Sequence, residues 1–221
     1  MPTLGLFLRV ALLILSTVAL AAPSGAATIF YETFDAEVGT GHGSGGSGID
    51  YTGFASWTVS SGTVDLIAHD DFAPASGEIA CYGGSGKCVD LDGTNDGGVL
   101  TSVSLLLQPG TYELSYHLSG VASSFSQSGS NASNTVNASI TGGLFFESVV
   151  RAKGDPYGVF GGQFTVLSAT SVQIVFEDLG ADSFGAMLDE VRLAQVPEPG
   201  TAWLVAGGLL GLGLRRRRDV G

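Results

Sequence analysis

The sequence predicts an all-β protein built as one β-sandwich. Between residues 28 and 195, short runs rich in Val, Ile, Thr, Phe and Tyr alternate with clusters of Gly, Asn, Asp and Ser. No long stretch repeats its apolar residues with the period of a helix. About ten to twelve such runs follow one another at the spacing of a sandwich, without an internal repeat of fixed length. The 221 residues suit one domain of ordinary size with a processed segment at each end.

Taken in order, residues 28–34 open as a strand. Residues 35–50 form a loop punctuated by Gly39, Gly41, Gly43, Gly45, Gly46 and Gly48, with too little apolar surface to order itself, so it lies over the fold or moves. Residues 57–60 and 64–68 read as a hairpin across Ser61-Gly62, and 87–91 as a strand ending in the turn 92–98. Residues 99–107 alternate imperfectly up to the turn Gln108-Pro109-Gly110. Residues 111–118 alternate cleanly, with Tyr112, Leu114, Tyr116 and Leu118 on one side and His117 on the other. After a Ser/Gly/Asn-rich loop at 119–134 come strands at 135–141, 144–150, 161–166, 171–177 and 186–193.

The two ends carry the address. Residues 1–9 are a weakly basic lead, 10–22 an apolar run of thirteen, and 24–27 a small-residue region, the layout of a secretory signal peptide over 1–27. Cleavage after Ala26 or Ala27 fits best, with Ala21 a further position. The tail at 196–221 opens with Val196-Pro197-Glu198-Pro199-Gly200, whose prolines fix φ and hold Val196 and Glu198 extended, so no helix runs through. Residues 201–214 are uncharged and apolar, and Arg215, Arg216, Arg217 and Arg218 follow. At about 1.5 Å per residue this run covers roughly 21 Å against a hydrocarbon core of about 30 Å, a short span that relies on snorkelling arginines and local thinning. The arginines hold that end in the cytoplasm and everything upstream beyond the membrane. Gly207 and Gly211 form a small-xxx-small pair that is incidental in so glycine-rich a run.

This tail resembles the PEP-CTERM sorting signal of Gram-negative bacteria, with Pro197-Glu198-Pro199 in the motif position and Gly200 beside it. The resemblance implies recognition by an exosortase, a membrane-embedded transpeptidase-like enzyme that processes the chain near the motif. A plain C-terminal membrane anchor is the simpler alternative.

Residues 28–195 carry Lys87, Arg151, Lys153 and Arg192 against nineteen carboxylates, a formal charge of −15. Such a surface repels nucleic acid and anionic lipid and favours divalent cations and neutral partners. Cys81 and Cys88, isolated and joined by a loop with Gly83, Gly84 and Gly86, read as a disulfide in an oxidising compartment.

The domain also resembles galactose-binding-domain-like jelly rolls. The resemblance rests on Trp57-x-Val59, Val89-Asp90-Leu91-Asp92-Gly93, Pro109-Gly110-Thr111-Tyr112 and Leu188-Asp189-Glu190-Val191. It implies a jelly-roll sandwich, a class that serves lectins, enzyme accessory modules and structural modules alike. It also implies a structural calcium joining the first strand to the last, at Glu32, Asp35, Asp189 and Glu190; those carboxylates read equally well as solvated. Asp92-x-Thr94-x-Asp96-Gly97 imitates the opening of an EF-hand loop, but Val103 stands at position twelve and no helices flank it, so it reads as a turn or a non-EF site.

Catalytic signals are weak. His42 lies in the glycine loop, His69 precedes Asp70-Asp71, none of the three histidines neighbours a nucleophile elbow, and no zinc spacing appears. Sugar binding needs aromatic platforms with a few polar groups. Tyr82 and Tyr157, in glycine-containing loops, and Trp57, at the head of a strand and more at home in the core, are the candidates, with Tyr51 and Phe54 behind them.

Together these features predict a non-enzymatic exported protein of the envelope or exopolysaccharide matrix, its sandwich a carbohydrate-binding or adhesive module. A structural matrix protein without a ligand is the alternative, and a polysaccharide-active enzyme the third. Replacing Pro197, Glu198 and Pro199 together with alanine should leave a longer, membrane-bound form in an exosortase-containing host, read by immunoblot of cell fractions. Processing like the wild type would reduce the tail to an anchor.

Overall fold

The computed structural model describes residues 26–71, 80–94, 96–121, 133–180 and 183–197. The expected signal peptide, residues 198–200 of the sorting motif, the apolar run and the arginine cluster lie outside them. Thirteen strands run through the described residues. They are β1 (Ala27–Glu32), β2 (Trp57–Ser61), β3 (Asp65–Ala68), β4 (Lys87–Asp90), β5 (Val99–Ser102), β6 (Leu105–Leu107), β7 (Gly110–Ser119), β8 (Ser133–Ile140), β9 (Phe145–Ala152), β10 (Gly158–Val166), β11 (Thr170–Val172), β12 (Ile174–Asp178) and β13 (Met187–Val196).

All pairings are antiparallel. A front sheet runs β10-β7-β13-β4-β3, with β1 added against the second half of β13; a back sheet runs β2-β5-β12-β8-β9; β6 and β11 form a separate pair. Strand neighbours are mostly distant in sequence, and the two sheets face each other as a jelly-roll-like β-sandwich.

Period-two alternation places the core. Tyr112, Leu114, Tyr116 and Leu118 of β7 meet Val136, Ala138 and Ile140 of β8 and Ile174 and Phe176 of β12 in one cluster, all of them buried. Trp57 is 3% exposed and its ring sits among Phe30, Phe34 and Phe176, with centroids 5.4, 6.1 and 5.9 Å away. Trp57 is therefore a core residue and not a sugar platform. Its large apolar ring stabilises by leaving water, and no sugar can reach it.

Three expectations about strands are corrected. The hairpin over 57–68 does not form: β2 pairs with β5 in the back sheet, whereas β3 pairs with β4 in the front one. Gly62, at φ 60°, turns the chain between sheets where a Cβ would lie 2.0 Å from the Gly97 carbonyl oxygen, so only glycine fits. The expected strands 99–107 and 171–177 each break in two, because β6 and β11 leave the back sheet to pair with each other.

The loop over 35–50 lies on the fold, held by polar bonds. The Asp71 carboxylate accepts from the amides of Gly45 and Ser47 and from the Ser47 hydroxyl, and Ser47 Oγ accepts from Ala68 N at 2.8 Å. Partial burial pulls the Asp71 pKa up, but these hydrogen bonds outweigh it and leave the carboxyl below its usual range.

Cys81 and Cys88 are bonded, as their spacing predicts. The bridge closes a loop whose first turn, Tyr82–Gly84, has Gly83 and Gly84 at positive φ. Replacing both cysteines with alanine should cost about 2–2.5 kcal/mol in the chain-entropy account. Urea unfolding checks this under oxidising conditions, and reductant should bring the wild type to the same midpoint.

Candidate functional site

The front sheet turns Ser115 and His117 of β7 away from the core, opposite Tyr116 and Leu118. The same outer face collects residues of β13 and β1. A depression there is lined by Thr28, Tyr31, Ser115, His117, Glu190 and Arg192. Glu190 reaches it because β13 bulges between Asp189 and Arg192, with Glu190 at φ 46°. His117 Nδ1 lies 3.5 Å from Glu190 Oε2, and the Arg192 guanidinium donates to Thr28 Oγ1 at 3.1 and 3.3 Å.

Tyr82 lies over this face. Its ring stacks on the imidazole of His117, centroids 3.8 Å apart and planes at 29°, and stays 40% exposed. The disulfide positions it from one side, while its amide donates to Asp189 Oδ2 at 3.0 Å. Tyr157 meets Tyr82 edge-on at 5.7 Å. Tyr157 packs against the small cluster of Ile67, Cys81, Cys88, Val121 and Met187, and its hydroxyl is buried. Burial above all, with Asp189 also adding to the effect, pushes its phenol well above the usual range. Tyr157 thus buttresses Tyr82 rather than offering an exposed platform of its own.

The face presents an exposed aromatic stack with a carboxylate, a guanidinium and hydroxyl groups beside it. Sequence reasoning found Tyr82 from its glycine loop. It missed His117, Tyr31 and Arg192 as companions, because only strand pairing brings positions 31, 82, 117 and 192 together.

Of the four carboxylates expected to hold calcium, three accept hydrogen bonds from backbone amides. Glu32 accepts from Phe34 N at 2.9 Å; its burial, with Glu37 adding repulsion, raises its pKa despite that bond. Asp35 accepts from Lys87 N at 2.8 Å, while its carbonyl takes the Lys87 ammonium at 3.0 Å. Asp189 is 4% exposed and accepts from Tyr82 N and Glu190 N. Among the described residues, one trio of His, Cys and carboxylate ligand atoms lies within 4.8 Å of one another, Cys81, Cys88 and Asp189. Its sulfurs are spent on the disulfide.

Residues 195–218 match the PEP-CTERM protein-sorting motif. No curated protein matches the chain. Among solved structures it is similar to the CBM22-1 xylan-binding domain of Paenibacillus barcinonensis Xyn10C, at 15% identity and TM-score 0.48 over 80% of this chain and 100% of that one. The C-terminal family 22 carbohydrate-binding module of Clostridium thermocellum Xyn10B follows, at 16% and 0.45 over 79% and 96%. A module of Cellvibrio mixtus lichenase 5A, solved with cellotriose, stands at 17% and 0.35 over 59% and 96%.

Asp189 gives this region a pH signature. Burial first, then Asp35 and Glu190, push its pKa up to about 7, against the two amide bonds that pull it down. The folded chain then keeps a proton that the unfolded chain has released above about 4. Stability is therefore greatest at the acid end of that window and falls as pH rises through it toward about 7. The urea midpoint should fall between about pH 5 and pH 7.5, and Asp189→Asn should flatten that fall.

Proposed function

We propose that the chain is exported across the inner membrane and held by its tail until an exosortase acts on the Pro197-Glu198-Pro199 region. It then presents its sandwich in the envelope or an exopolysaccharide matrix as a non-enzymatic carbohydrate-binding module. The match over residues 195–218 supports the sorting half of this reading. The observation that carries the binding half is the exposed Tyr82 ring, stacked on His117 beside Tyr31, Glu190 and Arg192. A sugar ring presents an apolar face to an aromatic platform while its hydroxyls take hydrogen bonds from the polar groups around it. The formal charge of −15 over residues 28–195 favours a neutral glycan over an acidic one.

Neutral β-1,4-linked oligosaccharides, with xylohexaose and cellotriose as probes, test the reading by calorimetry and affinity electrophoresis. Tyr82→Ala should weaken binding by about tenfold, the scale expected for removing one aromatic anchor. It should leave the melting temperature within a degree or two, since the ring is already partly in water. Binding unchanged in Tyr82→Ala would remove this face from the function.

A further inference from the structure

We propose that one pole of the sandwich rests on the bilayer surface, through Leu106 and Leu167, while the tail is still in the membrane. The inference rests on the reading of residues 201–214 as a membrane segment. It goes beyond that reading by giving the folded domain an orientation and a lipid-facing surface.

Strand pairing brings both ends of the domain to this pole. Ala27, the first residue of β1, pairs with Gln195, and Val196, the last residue of β13, pairs with Thr111 at the start of β7. The apolar run of the expected signal peptide ends at residue 22, and that of the tail begins at residue 201. Each lies five positions from the strand it joins, a reach of at most about 18 Å when fully extended. Two membrane-directed segments thus leave the fold from paired strands, and the pole beside them is held close to the lipid.

The exposed leucines sit at the same pole. Thr165 pairs with Thr111 and Val166 with Gly110, so Leu167 comes one residue beyond the row that holds Val196. With strands about 4.8 Å apart, it lies roughly 10 Å to the side of that residue. Leu167 is 89% exposed, the most of any large hydrophobic among the described residues. The chain then enters β11, where Ser171 pairs with Leu106, itself 64% exposed. Leu167 and Ser171 border one depression with Leu144, Thr141 and Gly142.

Charge divides the molecule along the strands. Residues 103–112, 140–146 and 164–174 build this pole and include no charged side chain, in a domain of formal charge −15. The nearest charges on β7 and β13, Glu113 and Arg192, have opposite signs. The other pole gathers carboxylates: Asp90 pairs with Met187 and with Asp65, and the Asp92 and Asp178 carboxylates border Gly180. The length of β13, at about 3.4 Å per residue, puts the poles roughly 30 Å apart, about three screening lengths at physiological salt. Lipid under the neutral pole therefore feels little of the repulsion that the acidic pole would exert.

Two exposed leucines on an uncharged surface, at the pole from which the tail leaves, suit the boundary of a bilayer. Apolar side chains enter between headgroups there, while Ser and Thr hydroxyls meet the headgroups themselves. Seated this way, the strands stand along the membrane normal. Tyr82 stays clear of lipid, because His117, on which it stacks, pairs with Asp189 toward the other end of β13.

The test uses the full chain, its disulfide formed, in phosphatidylcholine vesicles. A polarity-sensitive fluorophore is attached at Leu167→Cys, or at Val159→Cys, 66% exposed toward the opposite end of β10. Iodide should quench the probe at 167 several-fold less than the probe at 159, and a nitroxide lipid should quench the first but not the second. Adding Leu106→Asp should raise iodide access at 167 to that at 159. The melting temperature should stay within about a degree or two, since Leu106 is already largely in water. Flotation reads anchoring separately. A chain that floats with the vesicles yet is quenched equally at both positions overturns the docking and leaves the tail reading intact; one that does not float overturns both. Iodide protection without lipid quenching would place a second copy on the pole and also overturn the proposal.

Discussion

The fold depends on how one strand, β13, serves three neighbours. Its first residues pair with β4 and β7, and its later ones with β7 and β1. Leu188 and Val191 both enter the core, three residues apart, which strict strand alternation forbids. The extra residue of the bulge at Glu190 reconciles them. Before it, Leu188 points in and Asp189 lies against Tyr82; after it, Val191 and Leu193 point in and Arg192 faces out. One irregularity keeps the core continuous and aims Glu190 and Arg192 at the same outer face.

A second constraint is the number of acids this small domain buries. Glu37, Asp65, Asp90, Asp92, Asp178 and Asp189 are all buried. Desolvation disfavours their charged forms, and backbone amides answer it in part: Asp50 N serves Asp65, Gly185 N serves Asp90, and Tyr82 N serves Asp189. Burial leads the upward shift of Asp65 to about 6, with Asp50 and Asp92 adding repulsion. The acidic interior therefore ties loop geometry to charge: a change that removes an amide donor also leaves a carboxylate exposed to its like-charged neighbours.

The aromatic face is built by a chain of supports. The disulfide closes the loop, the Asp189 carboxylate takes the Tyr82 amide, and Tyr157 fills the space between ring and bridge. Tyr82 is thereby held on His117 instead of sampling solvent, which lowers the ordering cost of any flat partner placed on it.

Much of the fold class was legible in the sequence because alternation and turn residues act locally: β7 keeps the side expected for Tyr112, Leu114, Tyr116, Leu118 and His117. The disulfide was legible because eight residues with three glycines leave the two sulfurs little choice. The sorting tail was legible because its prolines, apolar run and arginines follow one another in linear order, and residues 195–218 match the sorting motif. The rest was decided by pairing over long separations. Val59 and Leu66 read as hairpin partners, yet their sheets are chosen by β5 and β4. Trp57 read as core or platform, and only the rings of Phe30, Phe34 and Phe176 settle it as core. Tyr82, His117 and Arg192 carry no mutual signal in sequence, because strands that are neighbours in space here are rarely neighbours in the chain. Local patterning determined which segments are strands and which way they face; the burial of two faces against each other decided which strands meet, and so which side chains share a site.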